Sequence, residues 1–326
     1  MYVLGIDVGA TKIAAAILNG QGEISYSEKK TLKGSTGLSA LKLVTDLIQH
    51  YFDNIHSHGI NINAIGICIP GIYNQKTQRI WAPNIPGWDD LAFEEELKKH
   101  IGPIPVYIES DRSCYILGEI WKGNAQGCSD AIFMGVGTGI GAGIVSGGRL
   151  IRGAGGISGS MGWMALCRPY KNLFERFGCF ESMASGDGMA RLAVELLKIS
   201  PDYEGALRHA DPKSISAIDV FEAFQSGDLL AIKIKEELIA YWGMGVANLV
   251  TLFNPEKILL GGGVFGPAIT FIPEIIAEAG KWAQPVAMKQ VQIEAASLGG
   301  MAGVTGAAWL AFNDQKLPDQ SKLSII

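Results

Sequence analysis

Two stretches of this chain carry one plan. Val8 to Gly20 reads VGATKIAAAILNG, and 127 residues on, Gly135 to Gly147 reads GVGTGIGAGIVSG. Aligned without gaps, Thr11 meets Thr138, Ile13 meets Ile140, Ala15 meets Ala142, Ile17 meets Ile144 and Gly20 meets Gly147. Five identities in 13 positions are modest by themselves, because glycine-rich strands resemble one another in composition. Yet each copy reads as strand, small-residue turn and strand, and each opens one half of the chain. The spacing therefore predicts duplicated lobes facing each other.

The remaining pattern fits that frame. A strand at Tyr2 to Asp7, one at Lys12 to Leu18 and one at Glu23 to Lys29 precede a helix over Leu38 to Ile55. Asn63 to Pro70 reads as a buried strand. A short helix over Leu91 to His100 and a strand at Ile104 to Glu109 lead to a helix starting near Asp111. The second half supplies a long helix over Leu230 to Leu252 and a strand at Lys257 to Leu260. The final strand, Val291 to Ser297, and helix, Met301 to Phe312, are expected to cross back to the first lobe. With 326 residues, 48% hydrophobic, the chain can fill two cores. Its net charge of −5 offers no field for nucleic acid, and no basic block or long apolar run points to a membrane. Five scattered cysteines and no apparent leader make a reducing cytoplasm the expectation, with a small molecule as the expected partner.

Three turns could receive phosphate. In Asp7-Val-Gly-Ala-Thr-Lys12, Gly9 lets backbone approach an anion, Thr11 adds a hydroxyl, and Asp7 is placed to hold magnesium through water. An ordinary hairpin turn explains the same residues. Gly135-Val-Gly-Thr-Gly-Ile-Gly141 resembles a dinucleotide fingerprint, but a strand-like segment follows it instead of a helix. No Asp or Glu lies between Asp130 and Glu175 to bind a ribose, and the P-loop pattern is absent. A third cluster, Leu260-Gly-Gly-Gly-Val264, can lay an adenosine against bare backbone, or can simply turn a strand into a helix.

DVGATK, APNIPGW, ESD before a helix, GVGTGIGAGIVSGG and LFNPEKILLGGGV stand here in the order found in the ROK family (repressors, open reading frames and sugar kinases). The resemblance runs from Tyr2 to about Leu310. It implies an α/β, two-lobe actin-like ATPase (ribonuclease H-like) fold with duplicated βββαβα domains, residues 1–115 plus about 298–326 forming the N-terminal lobe and 116–297 the C-terminal lobe. It implies a glucokinase-like sugar kinase that uses ATP and Mg2+, with ATP in the cleft, sugar deep between the lobes, and a homodimeric assembly.

By resemblance, Asp111 matches the catalytic base, with Ser110 where asparagine is usual. A carboxylate there would accept the proton of the attacking hydroxyl, and helix N-capping is its structural alternative. Asn84 matches a sugar-contacting amide. Gly71 matches a glycine near the sugar, or a plain turn. Glu181 matches a carboxylate that grips sugar hydroxyls, or starts a solvent-exposed helix. Asp7, Gly9, Thr11, Lys12, Gly137, Thr138, Gly139, Gly262 and Gly263 are the implied nucleotide contacts.

The pattern breaks at Gly159-Ser-Met-Gly-Trp163. Family kinases carry Glu-x-Gly-His here and a following cysteine cluster, and the His and three thiolates hold a structural zinc. Ser160 stands for the Glu and Trp163 for the His, so both enter as substrate-side candidates. Cys179 matches the last thiol, Asn172 and Phe174 replace the other two, and Cys167 is out of register. None of the histidines at 50, 56, 58, 100 and 209 is near in sequence. No structural zinc is expected. The loop from Trp163 to Phe177 should be held by its apolar side chains, with Trp163 expected to fill the lost metal site and stacking on a sugar face as the alternative. Glucose recognition of the usual kind should be altered.

A transcription regulator is a second reading. ROK repressors carry a winged helix-turn-helix ahead of DVGATK, which here starts at residue 7. A non-catalytic or repurposed sugar-binding homologue, motivated by Ser160 and Trp163, is a third. The sequence leaves open which sugar and which hydroxyl would be used.

Overall fold

The computed structural model describes residues 1–32, 34–55 and 59–313. His56, His58 and the tail from residue 314, expected in the N-terminal lobe, lie outside the described residues. Two compact units divide the chain. The first holds Met1–Gln126, Arg152–Ile157 and the segment from Ser297 on, and the second holds Gly127–Ile151 and Ser158–Ala296.

The first unit begins with β1 (Tyr2–Val8), β2 (Lys12–Asn19) and β3 (Ile24–Thr31), an antiparallel meander. Then follow α1 (Gly37–Ile55), β4 (Ile62–Ile69), a small hairpin of β5 (Ile72–Asn74) and β6 (Arg79–Trp81), α2 (Phe93–Ile101), β7 (Val106–Ser110) and α3 (Asp111–Lys122). The sheet order is β3-β2-β1-β4-β7, with β1, β4 and β7 parallel. Side chains alternate across this sheet because strand side chains have a period of two. Leu4, Ile6 and Val8 join Leu41, Val44 and Leu47 of α1 in one core, while Val3, Ala14 and Ala16 face the other way.

The second unit repeats the scheme. Its strands are β8 (Ala131–Val136), β9 (Ile140–Ser146) and β10 (Arg149–Leu150). Helices α4 (Leu173–Phe177), α5 (Cys179–Ala184), α6 (Gly186–Ile199), α7 (Ala217–Gln225) and α8 (Leu229–Phe253) follow. Then come β11 (Lys257–Gly261), α9 (Ile272–Trp282), α10 (Pro285–Gln290) and β12 (Gln292–Ala295). The order β10-β9-β8-β11-β12 matches the first sheet strand for strand, with β8, β11 and β12 parallel. The gapless alignment holds only from the second strand onward. Val8 pairs with Ile13 but Val136 pairs with Ile140, so the second turn is one residue shorter and Asp7 is matched by Gly135. Helix α8 starts at Asp228, whose carboxylate accepts from the amides of Leu230 and Ala231 at 2.9 and 3.0 Å. It buries Trp242, Val246 and Val250 in the core.

The chain then returns to the first unit through α11 (Ala302–Asn313). Apolar nearly all round, this helix belongs inside. It lies against α3, β1 and β4 at backbone distance: a Cβ at Gly66 would overlap the Ala307 carbonyl, and one at Gly306 the Cys114 carbonyl. The fully buried Glu119 of α3 fastens the return. Its carboxylate accepts from the amides of Ser297 and Leu298, both at 2.9 Å, the Ser297 hydroxyl at 3.0 Å and the Asn124 amide at 2.9 Å. All of α3 thus stays with the first unit, past the boundary at residue 115 read from the sequence.

Candidate functional site

In open α/β sheets ligands sit beyond the carboxyl ends of the strands. At that edge of the first sheet, Asp7 of β1, Cys68 of β4 and Glu109 of β7 form one row in register. Asp7 is partly buried, and a Cβ at Gly303 would overlap its carboxylate. Burial raises its pKa, opposed by a hydrogen bond from the Cys68 thiol and by the nearby charge of Lys12. The turn after Asp7 is closed by the Gly9 amide donating to the Lys12 carbonyl at 2.8 Å, which leaves Thr11 and Lys12 exposed.

Asp111 is the first residue of α3 and is partly buried. Its Oδ1 accepts the Arg112 amide at 2.7 Å, so it satisfies one free amide of the helix start. Burial pushes its pKa up to about 6, the Arg112 amide and guanidinium pull it down, and the charge of Asp7 raises it further. Ser110 occupies the cap position but does not cap. Its buried hydroxyl lies 2.9 Å from the Ser113 hydroxyl, which withdraws it from solvent.

Three further residues frame Asp111. Buried Glu109 accepts its neighbour Ser110's amide at 2.9 Å and the Arg152 Nε at 2.5 Å. Arg112 reaches the Gly156 carbonyl at 3.5 Å through Nη2, while its buried Nε has no hydrogen-bond partner. Arg152 and Gly156 belong to the short Arg152–Ile157 segment that the chain lends back to the first unit. Sequence reasoning missed all three, although a glutamate at the end of a buried strand demands a cation and could have prompted the search.

Asn84 stands exposed on a turn closed by the Ala82 amide donating to the Trp88 carbonyl at 2.8 Å. Buried Trp88 anchors that turn, its indole donating to the Gly37 carbonyl at 3.0 Å. Gly71, with φ of 144°, backs the same turn, since a Cβ would lie 3.0 Å from the Ala82 Cα and overlap the Trp81 carbonyl. The structure therefore brings Gly71 and the Asn84 turn together.

In the second unit the Gly137 amide donates to the Gly139 carbonyl at 2.9 Å, and Thr138 is exposed. The Gly137 carbonyl accepts the Gly186 amide at 2.8 Å, which fixes the turn to the start of α6. Gly262, at φ of 90°, packs on Val136, and Gly263 borders open space. Glu181 is no solvent-exposed helix start. Its Oε2 accepts the Ile140 amide at 2.7 Å, and a Cβ at Gly139 would stand 2.6 Å from that oxygen. Burial raises its pKa, offset by the Ile140 amide and by Arg191. This carboxylate braces the glycine turn.

Ser160 and Trp163 bound a 3-10 turn, Met161–Trp163. The structure overturns the expectation that Trp163 fills a lost metal site: it is 58% exposed. Trp163, Pro169, Tyr170, Phe174, Cys167 and Cys179 line an open cavity of about 1170 Å³. Met164 and Leu166 pack against the core, and Phe174 is buried, so these anchor the loop. The two thiols lie 3.3 Å apart. Among the described residues no group of three His, Cys, Asp or Glu gathers that could hold a metal ion. A four-ligand zinc does not fit this donor set.

The family model for ROK matches residues 3–314. Glucokinase of Halalkalibacterium halodurans is 31% identical over 318 residues, covering 95% of this chain and 94% of its own. The xylose repressor of Caldicellulosiruptor bescii is 28% identical, covering 96% of this chain and 78% of the repressor. A crystal structure of a ROK family glucokinase from Streptomyces griseus, in complex with glucose and AMPPNP, superposes with a TM-score of 0.77 at 29% identity. It covers 96% of this chain and 99% of the other. The chain belongs to the ROK family and has its two-domain actin-like ATPase fold. In sequence it is a glucokinase-like member.

Proposed function

We propose that this chain is an ATP-dependent sugar kinase that transfers the γ-phosphoryl group of ATP to a hydroxyl of a hexose or hexose derivative, with Asp111 as general base. The observation that carries the reading is the Asp111 carboxyl, held at the carboxyl end of β7 with its pKa raised to about 6 beside the charge of Asp7. A base needs a pKa near working pH to be both ionised and able to take a proton. As the sugar oxygen bonds to the γ-phosphorus, its proton passes to Asp111, the bond to the β-phosphate oxygen breaks and ADP leaves. The family membership, and the glucose and AMPPNP held by the Streptomyces griseus glucokinase, support that chemistry.

Gly9, Thr11 and Lys12 offer the phosphates a closed turn with exposed polar groups. Gly137, Thr138 and Gly139 offer a second, and Gly262 with Gly263 a bare backbone edge for adenosine. Asp7 would hold magnesium through water, and the ion would supply neutralisation of phosphate charge. One carboxylate with phosphate oxygens suits that hard cation. Asn84, Gly71, Glu181, Ser160 and Trp163 are assigned to the sugar side; the Ser110 hydroxyl is engaged by Ser113. The protein works as a cytoplasmic homodimer, with no nucleic acid or membrane partner.

One observation favours a second reading, a sugar sensor without catalysis. Ser160 and Trp163 replace two sugar-gripping groups, and repressors stand among the relatives. Mass detection of sugar phosphate over a panel of hexoses and N-acetylhexosamines with ATP separates the readings. A phosphorylated product names the substrate. Sugar binding without any product, and without nucleotide dependence, would leave the sensor.

A further inference from the structure

Phosphoryl transfer gives no role to Cys167 and Cys179. We propose that they form a redox-active dithiol, which a low-molecular-weight disulfide such as oxidised glutathione converts into an intramolecular disulfide in the wall of the open cavity. Their sulfurs are 3.3 Å apart, and a disulfide bond of about 2.05 Å needs them to approach by only about 1 Å. The pair is held in place: Cys179 accepts the Leu166 amide at 3.4 Å, and the Tyr241 hydroxyl hydrogen-bonds Cys167. Access sets the order of events. Both line the cavity, but Cys167 is half-buried and Cys179 buried, so the more exposed Cys167 meets the oxidant first. The other neighbouring pair, Cys68 and Cys114, is fully buried, and Cys128 is not part of either pair.

The exchange balances in two steps. The Cys167 thiolate attacks one sulfur of oxidised glutathione, forms a mixed disulfide and releases one glutathione thiolate. The Cys179 thiolate then attacks the Cys167 sulfur, forms the protein disulfide and expels the second glutathione. The two protons of the cysteines end on the two glutathiones, which are reduced as the pair is oxidised. Burial and the Cys179 neighbour raise the Cys167 thiol above its usual range, so the reaction is slow at neutral pH. The bridge would fasten the loop that leaves Trp163 to the first residue of α5, two residues before Glu181. It is therefore placed to stiffen the cavity wall and the brace on the Gly137–Gly139 turn.

The test reads mass, so it does not depend on the kinase reading. The intact protein is incubated with oxidised glutathione at mildly alkaline pH, alkylated under denaturing conditions and digested without reduction. The expected result is a peptide joining Cys167 to Cys179, two hydrogens lighter than the reduced pair and lost after dithiothreitol. Alkylation of these two cysteines should be nearly abolished while Cys68 and Cys114 keep theirs. In Cys179→Ser the expected product is a lasting glutathione adduct on Cys167. Should that variant not fold, Cys167→Ser serves, with Cys179 expected to stay unmodified. Absence of the joined peptide from the wild type, or glutathione resting on Cys167 beside an intact Cys179, would overturn the proposal.

Discussion

At Asp111 a carboxyl group meets the opening turn of α3, and burial raises its pKa to about 6. Two outcomes follow from that placement. If the group works as a base, only its ionised form is competent, so kcat/KM should fall about tenfold per pH unit below pH 6 and level off above it. A pH-rate profile checks this. The second outcome concerns stability. The folded carboxyl keeps its proton up to about pH 6, whereas the ordinary value is 3.8, so between these values the folded state binds more protons. This group therefore favours folding as pH falls, and its ionisation costs the fold on the order of 1–3 kcal/mol above pH 6. Asp111→Asn removes that charge and keeps an oxygen for the Arg112 amide. The variant should melt higher than wild type at neutral pH, and the gap should close near pH 4. Equal melting temperatures at neutral pH would show that the carboxyl is not desolvated. Asp111 stands out as a candidate in the sequence because Glu-Ser-Asp precedes a helix in a familiar order. Arg112 and Arg152 do not, since an arginine's partner is set by long-range folding: Arg152 meets Glu109 from 43 residues away.

Among the elements, the return of α11 depends on Glu119 and on glycine contacts. Glu119→Ala leaves the Ser297 and Leu298 amides and the Ser297 hydroxyl without their acceptor, and removes a fully buried side chain. A loss on the order of 3 kcal/mol is expected, read by urea denaturation. Gly306→Ala should cost at least as much, because its Cβ would overlap the Cys114 carbonyl and two helix backbones must separate. In the second unit, Gly139→Ala sets a methyl group 2.6 Å from the Glu181 carboxylate. It should raise the KM for ATP several-fold while leaving the melting temperature within a few degrees, measured by steady-state kinetics and calorimetry. Strands with continuous apolar runs and the long α8 were readable from periodicity. Helices α4 and α5 were not, since they are too short to show a period and are placed by Phe174, Phe180 and the Gly178 turn. Helix α6, by contrast, carries a period in Met189, Ala193 and Leu197 that could have been read. The register of the duplicated hairpins also escaped, because removing one residue from a glycine-rich turn leaves the apolar pattern on either side unchanged.

For the molecule as a whole, the repeated sheet order explains why two glycine turns occur at equivalent places, one in each unit. Only the first is preceded by an aspartate; the second has Gly135 at that register. Duplication thus supplied two glycine turns, which in the proposed kinase reading both receive phosphate, and Asp7 and Asp111 lie in the first unit. The same comparison shows why specificity was less legible than fold. Fold rests on repeated patterns, whereas in the proposed reading sugar choice rests on single side chains such as Ser160 and Trp163, which no repeat or period marks. The measurement that bears most directly on the kinase reading is sugar-dependent ADP release by wild type and Asp111→Asn, each shown folded by its melting curve. A hundred- to ten-thousand-fold lower kcat in the variant, with sugar and ATP still bound, is the predicted result. Equal rates in the two proteins would contradict the assignment of Asp111 as the base.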